Sequence, residues 1–471
     1  MSENTYAMRI RRLYTILLLS LVLGGCNFAD NRNQVANQNV GSAPMPSPAG
    51  EAKVNQLTLP VLDALLANES FVRQIKESLA LTDQQISSLK TISSTEVTRL
   101  RQADAEQSPG DAADARARAT QEIAEIIGQD KGRLLEQMAR TFWAKGVEDT
   151  EDTTGKQAAL SMSHTPNSVP GDTRVVVNIP AFRMDLFRDG SLIKTYKIGI
   201  GYPQFPLPQG LRKAQTIIFN PTWTPPDSPW VATMKNVSAG QKIEAGSKLN
   251  PLGPIKIPIG MPSLIHGGKS PAKLGHFASH GCVGLTNDQV KDFARLLAEA
   301  SGTEISSSVM AKYLADRTRT QAVKLKETVP VELRYETIVV ENGQIHIFKD
   351  VYDEGTNTEE NLRAVLEANG VRPEDLSADE KAKITEALNA MSAHPKKMAP
   401  VELQPSTNDN SQAQTKKRKT LEMNLTANKT EVVVEVAALM GRGYPAPLDL
   451  DTGTARRPER SAASTKRGPG K

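Results

Sequence analysis

The chain opens with a short apolar run. Residues 13–23 are almost all apolar, and three basic residues, Arg9, Arg11 and Arg12, stand just before them. A run of this length is too short for a membrane-spanning helix, which needs about 20 apolar residues. A basic stretch, an apolar stretch and then small residues are typical of an export signal. We therefore predict a cleaved signal peptide at residues 1–25.

The pattern changes to a helical period at residues 57–148. Apolar residues recur there at spacings of three and four, which predicts amphipathic helices. Thr82 and Gln85 have the spacing of a capping box, so a helix is expected to begin between them. Gly128 and Gly132 are expected to weaken or divide the last helix. The residues that carry the period are Phe71, Ile75, Leu79, Ile86, Leu89, Ile92, Ile123, Ile126, Ile127, Leu134, Leu135 and Met138.

A period of two replaces the helical period after residue 172. Residues 149–171 have no period and predict a linker. Apolar and polar residues then alternate as in strands, and Arg188-Asp189-Gly190 and Asn342-Gly343 predict hairpin turns. Thr286 followed by Gln289 predicts a capped helix within this stretch. The pattern indicates a mainly-β domain at residues 172–355 and a helical extension at 356–393.

Charge is concentrated at the far end of the chain. The 57 Lys and Arg residues exceed the 53 Asp and Glu residues by +4. Residues 395–471 contain fourteen basic and eight acidic residues, an excess of +6, so the remainder is at about −2. We predict a solvated, largely disordered basic low-complexity tail at residues 394–471. The remainder lacks the clustered basic and aromatic residues of a nucleic-acid binder, so no nucleic-acid partner is expected.

The first of only two cysteines follows the apolar run. The string Leu23-Gly24-Gly25-Cys26 resembles a bacterial lipobox. The resemblance implies that Cys26 is acylated and becomes the mature N-terminus. It also implies that Asn27 directs the lipoprotein to the outer membrane of a Gram-negative bacterium, where the protein faces the periplasm. Residues 26–56 are polar and predict a flexible tether. An ordinary signal peptide that happens to contain a cysteine is the alternative.

The second cysteine lies in a region rich in histidine and glycine. Three of the six histidines, His266, His276 and His280, stand within sixteen residues of Cys282. An imidazole activates a thiol by lowering its pKa or by taking its proton, and glycines let backbone N–H groups approach an oxyanion. Three interpretations compete. They are a buried inert thiol, a zinc site of His276, His280 and Cys282, and a Cys/His acyl-transfer enzyme.

A family resemblance favours the third interpretation. Ser279-His280-Gly281-Cys282 with an upstream His266-Gly267 resembles the signature of the L,D-transpeptidase catalytic domain, the YkuD family. The resemblance implies a β-sandwich-like fold and a peptidoglycan-building enzyme of cell wall biogenesis. Cys282 would form a thioester with a tetrapeptide stem, release D-alanine and pass the acyl group to an amine, which gives a 3-3 cross-link.

The resemblance also implies roles for the residues of the motif. His266 would be the general base, with the Gly267 carbonyl orienting its ring. His280 would shape the site, Gly281 would lend its backbone N–H to the oxyanion hole, and Ser279 would bond within the motif. No metal or cofactor is implied. Many members carry Arg or Asn two residues after the cysteine, but this chain has Gly284 there. The contacts of that side chain, such as binding of a substrate carboxylate, would then fall to Asn287 or to a distant basic residue.

Other functions stay open on the same residues. A carboxypeptidase, or an enzyme that attaches or releases a lipoprotein at peptidoglycan, would use the same thiol. A non-catalytic envelope-binding stress lipoprotein is the alternative from another class. Leu81-Thr82-Asp83-Gln84-Gln85 is similar to the LTXXQ motif of the Spy/CpxP periplasmic stress proteins. That similarity suggests that the helical region binds envelope proteins. The alternative is that the helical region is only an amphipathic spacer, which would have the same apolar pattern.

Overall fold

The computed structural model describes residues 57–102, 111–145, 165–225, 236–238, 240–260, 263–392 and 429–454. The predicted signal peptide, Cys26 and the tether lie outside these residues. Within them, no helix is both long enough and apolar enough to cross a membrane.

Five helices form the predicted helical region. The predicted capping box is present, since the Gln85 N–H donates to Thr82 Oγ1 at 3.1 Å and the Thr82 N–H donates to Gln85 Oε1 at 3.0 Å. Gly128, with a φ of +83°, divides the last predicted helix in two. The helices share one apolar core, in which the rings of Phe71 and Phe142 meet edge to face at 5.1 Å. The helices are α1 Leu59–Leu66, α2 Glu69–Ser78, α3 Asp83–Gln102, α4 Ala112–Ile127 and α5 Gln129–Lys145.

A curled eight-stranded sheet forms the centre of the second domain. Its strand order is β3-β2-β1-β10-β5-β6-β7-β9, and a two-stranded sheet pairs β4 with β8. Most neighbours are antiparallel, but β1 pairs with β10, β4 with β8 and β7 with β9 in parallel. The predicted mainly-β fold is confirmed. The strands are β1 Arg174–Asn178, β2 Arg183–Arg188, β3 Ser191–Lys197, β4 Ile200–Gly201, β5 Gly210–Phe219, β6 Ile255–Pro258, β7 Leu264–Lys269, β8 Phe277–Ser279, β9 Val283–Thr286 and β10 Gln321–Arg334.

Two helices accompany this sheet, and the first of them follows β9 directly. It is α6 Asn287–Ala300, and the second is α7 Ser307–Ala315. Thr286 and Gln289 form the predicted capping box at the start of α6. Val290, Phe293 and Leu297 pack from one face of α6 into the core of the sheet. The capping box therefore sets the direction in which the chain leaves β9.

A small α/β unit follows the sheet and differs from the sequence-based expectation. The predicted mainly-β domain extends to residue 355, but the chain leaves its main sheet after Arg334. The next strands form a separate three-stranded sheet with its own core. The elements are β11 Ile338–Glu341, β12 Gln344–Phe348, β13 Glu431–Glu435, α8 Glu359–Ala368 and α9 Ala378–Met391.

Part of the predicted basic tail is folded. Strand β13 pairs with the edge of β12 that the β11–β12 hairpin leaves open, and its Val434 is buried. Further along, Asp451 pairs with β3: its N–H donates to the Thr195 carbonyl at 3.0 Å, and its carbonyl accepts from the Lys197 N–H at 2.9 Å. Residues 429–454 are therefore an ordered part of the predicted tail, since backbone hydrogen bonds join them to the edges of two sheets.

Candidate functional site

Cys282 lies in a tight turn between β8 and β9. Gly281 precedes it with a φ of +89°, a backbone conformation that favours glycine. The Ser279 hydroxyl donates to the Cys282 carbonyl at 2.6 Å and accepts from the Cys282 N–H at 3.0 Å. The Ser263 hydroxyl donates to the Gly281 carbonyl at 2.8 Å. These bonds fix the backbone on both sides of a half-buried free thiol.

His266 lies on β7, next to the strand that begins after Cys282. Its Nδ1 lies 2.7 Å from the Gly267 carbonyl oxygen. A carbonyl can only accept, so Nδ1 carries the hydrogen and Nε2 keeps a lone pair. The parallel register pairs Ile265 with Val283 and His266 with Gly284.

This register brings the thiol and the imidazole together. Cys282 precedes Val283 and so lies opposite Leu264, two residues before His266. Side chains alternate between the faces of a sheet, and those of Ile265 and Val283 are buried in the core. Cys282 and His266 therefore lie on the other face, as diagonal neighbours across the two strands.

Burial keeps both groups neutral. Burial, together with the charges of Lys269 and Lys256, lowers the pKa of His266 to about 3, and hydrogen bonds to the backbone of Gly267 and Leu252 act in the opposite direction. Burial also raises the pKa of the Cys282 thiol, although the Leu264 backbone and Lys269 act to lower it. At neutral pH the pair is therefore a thiol and a neutral imidazole.

His280 lies at the exposed side of the turn, against an aromatic wall. Its ring meets the ring of Phe205 edge to face at 4.5 Å and that of Tyr202 at 5.6 Å. We call residues 201–207 the wall loop. The Tyr202 N–H donates to the Ser279 carbonyl at 2.9 Å, so the wall loop is bonded to the motif itself.

The backbone of the wall loop also approaches Gly281. A Cβ at Gly201 would lie 2.1 Å from the Phe205 carbonyl oxygen and 3.1 Å from the Gly281 nitrogen. Among the described residues no hydrogen bond uses the Gly281 N–H, whereas the Cys282 N–H is bonded to Ser279. Of these two backbone N–H groups, that of Gly281, the one predicted for an oxyanion hole, is therefore the available donor.

The helical region holds the wall loop from outside. The Thr58 hydroxyl donates to the Gln204 carbonyl at 2.7 Å. Leu100 of α3 packs against Tyr202 and Phe205. No local sequence signal marks these contacts, because the residues that meet stand about a hundred or more positions apart.

A second connection runs through Arg116 of α4. Its guanidinium donates to the carbonyls of Tyr352 and Asp353, both at 2.7 Å. The Tyr352 hydroxyl in turn donates to the Gly201 carbonyl at 2.8 Å and accepts from the Leu207 N–H at 3.1 Å. Both ends of the wall loop are thus bonded to a tyrosine that the helical region holds in place.

The structure gives no support to the zinc alternative. His276 and His280 flank strand β8, so they do not stand one turn apart on a helix face. In the part of the chain that the structure describes, no group of three or more His, Cys, Asp or Glu residues could hold a metal ion.

Comparison with known proteins places this site in a family domain. Residues 172–320 match the family model of the L,D-transpeptidase catalytic domain, YkuD. No curated protein matches the chain. The predicted family domain is thereby confirmed for these residues, while the lipobox and the Spy/CpxP resemblance stay predictions.

Several solved structures are similar to parts of the chain. The catalytic domain of an E. faecium L,D-transpeptidase is 16% identical over 36% of this chain and 100% of its own, with a TM-score of 0.23. An L,D-transpeptidase from Mycobacterium smegmatis is 15% identical over 35% of this chain and 58% of its own, with a TM-score of 0.22. One from Mycobacterium tuberculosis is 15% identical over 34% and 57%, with a TM-score of 0.20. Scores this low carry no argument, and the chain spans under two thirds of the two mycobacterial proteins.

Proposed function

We propose that the chain is a peptidoglycan L,D-transpeptidase whose nucleophile is Cys282 and whose general base is His266. The observation that carries the proposal is the shared face of β7 and β9, on which a half-buried thiol and an imidazole with a lone pair on Nε2 are diagonal neighbours. The match of residues 172–320 to the L,D-transpeptidase domain supplies the substrate class, a peptidoglycan stem peptide.

The first half-reaction forms a thioester. Cys282 Sγ attacks the carbonyl that links the third residue of a tetrapeptide stem to its terminal D-alanine, and the thiol proton passes to His266 Nε2. The Gly281 N–H donates to the developing oxyanion. When the tetrahedral intermediate collapses, the C–N bond breaks and the imidazolium returns the proton to the leaving amine. The products are an acyl-enzyme and free D-alanine.

The second half-reaction reverses these roles. An amine from a neighbouring stem attacks the thioester, its proton passes to His266, and the C–S bond breaks to regenerate the thiol. The new amide is the 3-3 cross-link. The Gly267 carbonyl stabilises the transient imidazolium at Nδ1, and Ser279 keeps the Cys282 backbone in position. His280, against the wall loop, shapes the entrance. The chemistry calls for no metal or cofactor.

Product analysis tests the reaction. Purified mature protein is incubated with a disaccharide-tetrapeptide, and the products are separated by mass spectrometry. Transpeptidation predicts a dimer lighter than two monomers by one D-alanine. A tripeptide monomer alone would make the protein a carboxypeptidase. An adduct with a lipoprotein would indicate attachment to the wall. Wall binding without any turnover would leave the non-catalytic envelope-binding function, and activity in Cys282→Ala would exclude the proposed nucleophile.

We also propose that acylated Cys26 anchors the protein in the outer membrane, facing the periplasm. The support is the lipobox-like string and the polar tether that follows it. Growth of a Gram-negative host with a labelled fatty acid should label the wild type but not Cys26→Ala. Equal labelling of the two proteins would contradict the anchor.

A further inference from the structure

The space beside Gly284 is occupied by another side chain. A Cβ at Gly284 would lie 2.8 Å from Lys269 Cγ, 2.9 Å from Cε and 3.3 Å from Cδ. Separations under 3.0 Å essentially never occur for a real Cβ. The aliphatic part of Lys269 therefore lies flat on the strand where residue 284 lacks a side chain, two positions after the nucleophile.

A bulge directs Lys269 to this face. The register pairs His266 with Gly284 and then Lys269 with Thr286. β7 therefore advances by three residues over the length in which β9 advances by two, so β7 contains one extra residue. In a regular strand Lys269 would point away from the face of His266, and the extra residue reverses its direction. The bulge places Lys269 on the face that carries Cys282 and His266.

Glycine and Asn287 stabilise the bulge. Gly268 has a φ of +83°, which an L side chain would resist, and a Cβ there would lie 2.4 Å from the Pro251 carbonyl oxygen. The Gly268 N–H donates to Asn287 Oδ1 at 2.8 Å. Asn287 is the first residue of α6, so the helix start holds the bulge in place.

The field at the reacting pair is positive. The charge of Lys269 lowers the pKa of both Cys282 and His266, and Lys256 adds to the effect on His266. A cation at a partly enclosed site attracts a small anion, and its attraction strengthens as water is excluded.

We propose that the Lys269 ammonium, carried across Gly284, is an anion-binding site that holds a carboxylate of the donor peptide beside Cys282. The identity of the donor rests on the proposed transpeptidase function. A stem offers two such carboxylates, the terminal one of the leaving D-alanine and the side-chain one of the third residue. Both present the same chemistry to the ammonium.

A pair of thiol reagents tests the anion site without any turnover. Iodoacetate and iodoacetamide both react with the thiolate, but only iodoacetate carries a carboxylate. The rate constant of iodoacetate divided by that of iodoacetamide therefore does not depend on the thiolate fraction and reports the attraction of a carboxylate. The ratio should fall about tenfold in Lys269→Gln. Lys273→Gln, which removes the charge of an exposed lysine nearby, should leave the ratio as in the wild type. An unchanged ratio in Lys269→Gln would overturn the proposal.

Gly284→Ala is a second variant that retains the charge. The three atoms nearest to the new methyl group all belong to the flexible Lys269 side chain, which must move away. The ratio should fall in this variant as well, by at least about threefold, with unfolding unchanged. A ratio equal to that of the wild type would refute the requirement for glycine at position 284.

Donor analogues identify the carboxylate. One donor analogue is a tetrapeptide amidated at its C-terminus, and the other is amidated at the side chain of its third residue. We expect kcat/KM to fall for one of the two, and that analogue identifies the carboxylate that Lys269 binds. Lys269→Gln should remove this discrimination, and a variant that keeps it in full would contradict the proposal. If the wild type turns over no donor, the transpeptidase function fails while the reagent ratio still decides the anion site.

Discussion

Arg116→Met removes the guanidinium that joins the helical region to Tyr352. Two hydrogen bonds of 2.7 Å from a charged donor are lost, each of about 1.5–3 kcal/mol. Water can partly replace the guanidinium at these part-buried carbonyls in the variant, so the net loss is smaller, about 2 kcal/mol. This loss corresponds to about a 30-fold larger open population of the wall loop.

Hydrogen exchange measures this opening directly. The Leu207 amide is bonded to the Tyr352 hydroxyl and the Tyr202 amide to the Ser279 carbonyl, so both report on the wall loop. We expect their exchange to rise about 30-fold in Arg116→Met, and kcat/KM to fall because His280 and Gly281 lose their support.

Arg118→Met is the matched control. It removes the same charge from the same helix, but Arg118 contacts Glu96 inside the helical region, and Arg99 continues to pair with that carboxylate. Exchange of the wall-loop amides should stay at the wild-type rate in this variant. Wild-type exchange in Arg116→Met, or equal acceleration in both variants, would refute the idea that Arg116 supports the wall loop.

Three further predictions concern the reacting pair and the buried charges. The pKa of His266 is about 3, so the imidazole is neutral and cannot hold Cys282 as a thiolate at neutral pH. The rate of Cys282 alkylation by iodoacetamide should therefore rise steadily to alkaline pH. A plateau of this rate between pH 5 and 8 would reveal a thiolate–imidazolium pair and contradict the prediction. A lowered histidine pKa favours the folded state above pH 6.5, so this stability should disappear as the pH falls towards 3. Arg183→Met leaves Asp185 and Glu341 buried without their cation, and urea unfolding should show a loss of about 3–5 kcal/mol; under 1 kcal/mol would contradict it.

Local patterns in the sequence predicted the elements of the fold well. Both capping boxes, at Thr82 and Thr286, formed where the spacing placed them, since such a cap depends only on residues three positions apart. Gly128 ended a helix for an equally local reason. The edge pairings of β13 and Asp451 were missed, because pairing between strands far apart in sequence leaves no local period.

The candidate site was predictable only in part. The proximity of Cys282 and His266 follows from the strand register, which the motif resemblance implied but did not describe. Lys269 escaped notice because a strand pattern without a bulge places it on the opposite face. Gly284 drew attention as a departure from the family, and only the three-dimensional contact shows that its missing side chain admits Lys269.

Intact-protein mass spectrometry tests the central claim most directly. Mature protein is mixed with a tetrapeptide donor whose side-chain amine is acetylated, so that it cannot act as an acceptor, and the mixture is quenched in acid. The account predicts an adduct with the mass of the donor minus D-alanine, located by peptide mapping on Cys282 and absent from Cys282→Ala. It also predicts that His266→Ala forms this adduct far more slowly. No adduct under conditions in which the donor is converted, or an adduct on another residue, would contradict the account.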